Sequence, residues 1–259
     1  MHAVLRTAQR LKSPVILETS PGETAFMGIK ELVALVKTCR KEYGIPIFLN
    51  LDHATKEKDV MAALKAGFDL LHFDGGEYEY EANITVARRI VVAAHKRGRI
   101  VEAEMDHITG SSGIHRGSTK KELSKGVFTD PDRAGIFVRA THCDTFASFI
   151  GNLHGLYTSK KKLDFDRLKD IRKKTGSCFL SLHGGSGISD DQIKKAIKFG
   201  ITKININTET RLAFSTALRK ALTDNASEIT PYKYFGQAIE EVRLVTEKNI
   251  KLFGTEGKA

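Results

Sequence analysis

The sequence has no tryptophan, three cysteines and five prolines among its 259 residues. Cys39, Cys143 and Cys178 are too few and too widely spaced for a disulfide framework or a thiolate metal site, so a reducing, cytoplasmic setting is expected. No apolar stretch approaches the ~20 residues that span a bilayer. The opening MHAVLRTAQRLKSP has no apolar region of the signal-peptide kind, so no membrane partner is expected. Internal repeats and low-complexity tracts are missing too. Negative charge is in deficit: 31 Asp and Glu stand against 41 Lys and Arg, a net charge of +10. Nucleic acid, an anionic small substrate and simple solubility are all compatible with that excess. The densest basic run, Ser159-Lys160-Lys161-Lys162, flows into DFDRLKDIRKKTG, where acids and bases alternate on an amphipathic helical pattern. Aromatic and basic residues do not interleave as they do on single-strand binders, so no nucleic-acid partner is expected. We assign most of the charge to solvated helix faces, with a local field favouring phosphorylated substrates as second choice.

What is present is an alternation. Apolar runs suited to strands lie at Val15–Glu18, Ile47–Asp52, Leu70–Asp74, Ile100–Met105, Thr145–Ile150, Cys178–Leu182 and Lys203–Asn207. Helical periodicity fills the intervals, at Ile29–Glu42, Glu57–Ala66, Tyr80–Arg97, Asp132–Ala140, Asp164–Lys174 and Asp190–Phe199, then at Ala213–Leu222 and Ala238–Leu252. Near-continuously apolar strands alternating with helices predict a parallel sheet covered by helices. Seven strands suit a doubly wound open sheet, but polar residues end at least four of them, which favours the rim of a barrel. The expectation is an α/β chain, a (β/α)8 TIM barrel lacking its N-terminal first strand, with residues 1–259 as a single domain. The polar, Gly/Ser-rich stretch from Asp106 to Gly126 is read as a long loop that is either disordered or a lid.

Three histidines sit at the ends of three separate strand-like runs: His53 in IFLNLDHAT, His154 in FASFIGNLHGLY and His183 in CFLSLHGGSG. Singly, each reads as a hydrogen-bonded residue at a strand end. Together they would put three imidazoles on one rim, a common ligand set for a catalytic zinc with an open position. Asp52 beside His53 suits proton transfer, and equally suits orienting a histidine or capping a helix. Gly184, Gly185 and Ser186 in HGGSG, and Asn205-Ile206-Asn207-Thr208 one strand later, sit where barrels bind phosphate. Asp74, Glu102 and Glu104 are strand residues read either as further ligands and electrostatic partners or as groups bonded to loops. His72 is read as a satisfied interior residue, His95 as solvated, and His107, His115 and His142 as loop or surface residues.

The segments LNLDHA, VEAEM, FTDP, IGNLHGLY, KLDFDRLKDIR, LHGGSGI and TKININTE, in this order and spacing, resemble the class II, zinc-dependent fructose-bisphosphate and tagatose-bisphosphate aldolases over nearly the whole chain. The resemblance implies a (β/α)8 barrel, usually a homodimer or homotetramer, that reversibly cleaves a ketose 1,6-bisphosphate, a phosphorylated sugar. It implies Zn2+ on His53, His154 and His183, with Asp74 and Glu104 at a second or displaced metal position. It also implies that Asp52 protonates the aldehyde oxygen, that Asn205 belongs to the catalytic set, and that Gly155, Gly184, Gly185, Ser186 and Asn205 through Thr208 bind dihydroxyacetone phosphate. A Na+ or K+ ion near the phosphate belongs to the same expectation.

The sequence also departs from that family. Its first strand has no counterpart before Met1, and a longer reading frame is expected to supply it. The loop glutamate active in proton transfer is missing: Ser111 and Ser112 fall where acids are usual, leaving His115, Asp106 or Glu122 as substitutes. Ala54 stands for a usual glycine, and Gly76 for a usual serine. The alternatives are another aldol substrate, or a metal- and sugar-phosphate-binding barrel with little turnover.

Overall fold

Continuous apolar runs need burial on both faces, and the chain achieves it by curling one parallel sheet inside a layer of helices. A computed structural model describes residues 1–259. The strands are β1 (Val15–Thr19), β2 (Ile47–Ala54), β3 (Leu70–Asp74), β4 (Ile100–Glu104), β5 (Gly110–His115), β6 (Thr145–Ala147), β7 (His154–Tyr157), β8 (Phe179–Leu182) and β9 (Ile201–Ile204). Seven of them form the main sheet in the order β1-β2-β3-β4-β6-β8-β9. Every residue of β3 is buried. Phe73 and Phe146 from the sheet and Phe137 and Ile90 from the covering helices meet in the main core. Each such side chain contributes roughly 1.5–3 kcal/mol by leaving water.

Strand order follows sequence order without reversal, so all strand C-termini open on one rim, as in a TIM-like barrel. The sheet is a curled half-barrel: β1 and β9 are its two edges and pair with no eighth strand. Lys203 Nζ on β9 reaches Glu18 Oε1 on β1 at 2.6 Å, and a cleft of about 570 Å³ lies between the two edges.

All seven expected strands form, two of them differently. The strand expected at Thr145–Ile150 stops at Ala147, because Phe149 N–H donates to Thr129 Oγ1 and Ile150 N–H to Asn152 Oδ1. The strand expected at Lys203–Asn207 is Ile201–Ile204; Asn205 N–H still donates to Leu182 O, and the chain then turns into the helix Thr208–Asp224. Asp106–Gly126 is not a structureless lid. It contains β5, paired in parallel with β7, and the short helix Thr119–Leu123. Ile108, Phe149 and Leu153 form a small core beneath it. The helix Pro21–Met27 was not expected, although Ser20 and Glu23 spell out its capping box.

Candidate metal centre

Asp52 and His53 are adjacent, and in a regular strand they would face opposite ways. A bulge resolves this. Between Leu51 and Ala54, β2 carries one residue more than β3, and His53 takes a left-handed φ of 51°. Both side chains then reach the same site: Asp52 Oδ1 lies 3.3 Å from His72 Nδ1, and the His53 ring lies 4.7 Å from the His72 ring.

Four imidazoles meet there. The His53 ring is 4.8 Å from that of His154 and 4.6 Å from that of His183, while His154 and His183 are 6.1 Å apart. One donor atom from each of Asp52, His53, His72 and His183 lies within 4.8 Å of the others, and the same holds for His53, Asp74 and Glu104. His154 stands at the edge of this cluster. It is not at the end of β6; it follows that strand through a loop and begins β7.

Hydrogen bonds set the free nitrogens. His154 Nδ1 donates to Ile108 O at 3.2 Å, which leaves a buried Nε2 with no partner. His183 Nε2 donates to Glu102 Oε1 at 2.7 Å, and its Nδ1 accepts from Asn205 Nδ2 at 3.3 Å. His53 Nδ1 lies 3.0 Å from Asp74 Oδ2. A carboxylate or carbonyl behind a histidine fixes its tautomer and aims the opposite nitrogen. Burial, reinforced by the neighbouring histidines, lowers His154 to about 3. Burial likewise lowers His183 to about 4 despite the Glu102 carboxylate. Both rings are therefore neutral at neutral pH: the His154 Nε2 lone pair is free, while that of His183 Nδ1 is held by Asn205 and would be released to a cation by breaking that bond. The donor set fits a divalent cation: neutral imidazoles, one with an orphaned nitrogen, beside ionised carboxylates.

The carboxylates are held apart in state. Burial would raise Asp52, but the neighbouring His72 ring and the charges of His53 and Lys203 outweigh it and hold Asp52 far below the usual range. Glu102 is likewise held low against its burial, with Lys203 Nζ 2.9 Å away. Glu104 is pushed up by burial and by Asp74.

His72 is the residue that sequence reasoning placed wrongly. It is fully buried, but it belongs to the cluster: His53 N–H donates to its Nδ1 at 3.1 Å, and its Nε2, 3.3 Å from Glu104 Oε2, completes no hydrogen bond. The period of two along β3, which puts His72 and Asp74 on one face, is the signal that marks it.

Across the rim lies HGGSG. Gly184 has φ +62°, and a Cβ there would meet Leu153 O at 2.3 Å; at Gly155, with φ +88°, it would meet Ser111 O at 2.5 Å. Only glycine fits such positions. Ser186 Oγ accepts from Glu209 N–H at 3.3 Å, which ties this loop to the N-terminus of Thr208–Asp224, where Asn207 is the cap residue. The N–H groups of Gly185, Gly187 and Asn207 have no protein partner. Free amides at a helix N-terminus suit an anion.

None of the three loop substitutes bonds to the histidines. His115 stacks on Tyr157 at 4.6 Å and bonds Ser111 O, Glu122 pairs with Lys125, and Asp106 lies toward Arg133 and Thr129. His115 nevertheless stands beside Gly155. His95 pairs with Asp144 on the surface.

A family model described as fructose-bisphosphate aldolase class-II matches residues 1–258. A fructose-bisphosphate aldolase from Geobacillus stearothermophilus is 35% identical over 262 residues, covering 100% of this chain and 88% of that protein. Among solved structures, the YdjI aldolase from Escherichia coli K12 superposes with a TM-score of 0.83 at 32% identity, over 99% of this chain and 88% of that one. The fructose-bisphosphate aldolase of Campylobacter jejuni gives a TM-score of 0.82 over 100% of this chain and 88% of that one; at 22% identity it speaks for the fold alone.

Proposed function

This chain belongs to the class II fructose-bisphosphate aldolase family, and from that membership we propose that it cleaves fructose 1,6-bisphosphate reversibly to dihydroxyacetone phosphate and glyceraldehyde 3-phosphate, using Zn2+ on His53, His154 and His183. The family's chemistry is metal-dependent aldol cleavage by a lyase. The observation that carries the reading is the buried, unpartnered Nε2 of His154, with the His53 ring between it and His183. Bound there, Zn2+ supplies Lewis acidity to the substrate carbonyl.

The chain's own residues do the rest. Asp52, ionised and held by Asn205 Nδ2 at 3.1 Å, takes the hydroxyl proton in cleavage and returns it to the aldehyde oxygen in condensation. The amides of Gly185, Gly187 and Asn207, with Gly155, Gly184, Ser186, Ile206 and Thr208 shaping the pocket, hold one phosphate of the substrate. Asp74 and Glu104 offer a second metal position beside His53. The working form is a cytoplasmic homodimer or homotetramer; no helix of the chain is long and apolar enough to cross a membrane.

A second reading, another aldol substrate such as tagatose 1,6-bisphosphate or slow turnover, is favoured by the loop, which brings His115 rather than a carboxylate to Gly155. Retro-aldol assays on both epimers, with and without chelator, separate these readings. Cleavage of fructose bisphosphate that chelation abolishes and zinc restores is expected. No cleavage of either epimer with one zinc bound per chain would refute the proposal. His53→Ala should lose tight zinc binding, and retention would overturn the ligand assignment.

A further inference from the structure

Lys161 is the one buried member of the basic run Lys160-Lys161-Lys162, at 3% exposure. Its Nζ donates to Leu153 O at 2.7 Å, Gly184 O at 2.8 Å and Ser186 O at 2.5 Å. No carboxylate lies within ion-pair distance of it. A buried ammonium without a counter-ion is costly unless dipoles replace its water, and here three backbone carbonyls do so. Burial lowers its pKa only to about 8, so it remains charged at neutral pH.

Carbonyl oxygens converging on one cation are how proteins bind dehydrated monovalent ions. The three carbonyls come from two separate loops, the segment that carries His154 and the HGGSG loop. The left-handed φ of Gly184 helps bring them together. Peptide planarity adds a consequence: with the carbonyls of Gly184 and Ser186 turned to the ammonium, the N–H groups of Gly185 and Gly187 point the other way. Those are two of the amides without protein partners. A free Na+ or K+ does not fit this cage, because the ammonium fills it.

We propose that Lys161 is a tethered substitute for a monovalent cation: its ammonium clamps the HGGSG loop to the Leu153–Gly155 segment, presents the loop amides to a phosphate, and makes the protein independent of Na+ and K+. Lys161 is thus a positioning residue. The clamp rests on geometry alone; only its service to a phosphate rests on the aldolase reading.

The test compares zinc-loaded wild type, Lys161→Gly and Lys161→Met in tetramethylammonium, Na+ and K+ buffers, reading melting temperature and the affinity for inorganic phosphate. For wild type, neither should depend on the cation. Lys161→Gly should bind phosphate at least about tenfold more weakly in tetramethylammonium, the expected loss for charge-assisted hydrogen bonds. It should recover both affinity and melting temperature in K+ or Na+. Lys161→Met, whose side chain fills the cage without charge, should not recover. Wild type stabilised by K+ or Na+, or a glycine variant that neither salt rescues, including one that folds in neither, overturns the proposal. Cation rescue of melting in a protein that binds no phosphate supports the clamp while counting against the aldolase reading.

Discussion

Asn205 donates from Nδ2 to Asp52 Oδ1 at 3.1 Å, although 153 residues separate the two. The same amide group reaches His183 Nδ1, while its Oδ1 accepts from Lys203 Nζ at 2.7 Å. One side chain thereby links the candidate acid–base group, a candidate ligand and the buried cation behind them. Asn205→Ala is expected to lower kcat by ~10²–10³, the usual cost of losing a preorganised donor, with zinc content unchanged. Steady-state kinetics beside metal analysis checks this, and a full-activity variant would refute it.

His72 controls the bulge. Its Nδ1 accepts the His53 N–H and so supports the left-handed turn that aims Asp52 and His53 together. Replacing it with Leu should weaken zinc binding by ~10–100-fold, as loss of an outer-shell partner does. Competition with a chelator of known affinity gives the measurement; unchanged affinity would return His72 to a packing role.

Acid should act on the metal-free protein through His154. Its folded value, about 3, lies below the ~6.5 of an unfolded histidine, so the unfolded chain binds the extra proton and stability falls with pH in between. Glu18, lifted by burial to about 7, and Glu104, also raised, take up protons in the folded state and oppose that slope. The difference between wild type and His154→Gln isolates the histidine. It should shift by ~1.4 kcal/mol per pH unit between about 6.5 and 4, favouring the variant in acid. Urea unfolding of both chains in chelator at several pH values checks the slope.

Gly184→Ala combines a left-handed backbone with a Cβ aimed at Leu153 O. A loss of ~2–3 kcal/mol of stability is expected from the strain and displacement. Phosphate affinity should fall with it, because the carbonyl of residue 184 is one of the three that hold Lys161. Denaturation and phosphate titration of the variant would show both, and an unperturbed protein would mean that the loop lies elsewhere.

Much of this was readable along the chain. The seven strands of the main sheet and the principal helices followed from periodicity, since continuous burial of strands and one-sided burial of helices leave different apolar patterns. Asp52 and His53 were found because polar residues at the end of an apolar run stand out. His72 was missed because a lone polar residue inside the LLHFD run looks like core. β5 was missed because GSSGIH has no apolar pattern, and its pairing with β7 rests on backbone hydrogen bonds.

The sequence by itself determined the alternation of strand and helix, the shared rim and the residue types at its edge, because these depend on local pattern. Tertiary structure alone decided the rest: the bulge that turns Asp52 and His53 to one side, the entry of His72 into the cluster, and the choice of Lys161 among three consecutive lysines. Each of these depends on partners far away in sequence, such as Leu71 and Phe73 for the bulge or Leu153, Gly184 and Ser186 for the ammonium. Local periodicity carries no record of which distant carbonyl, ring or strand a side chain will meet.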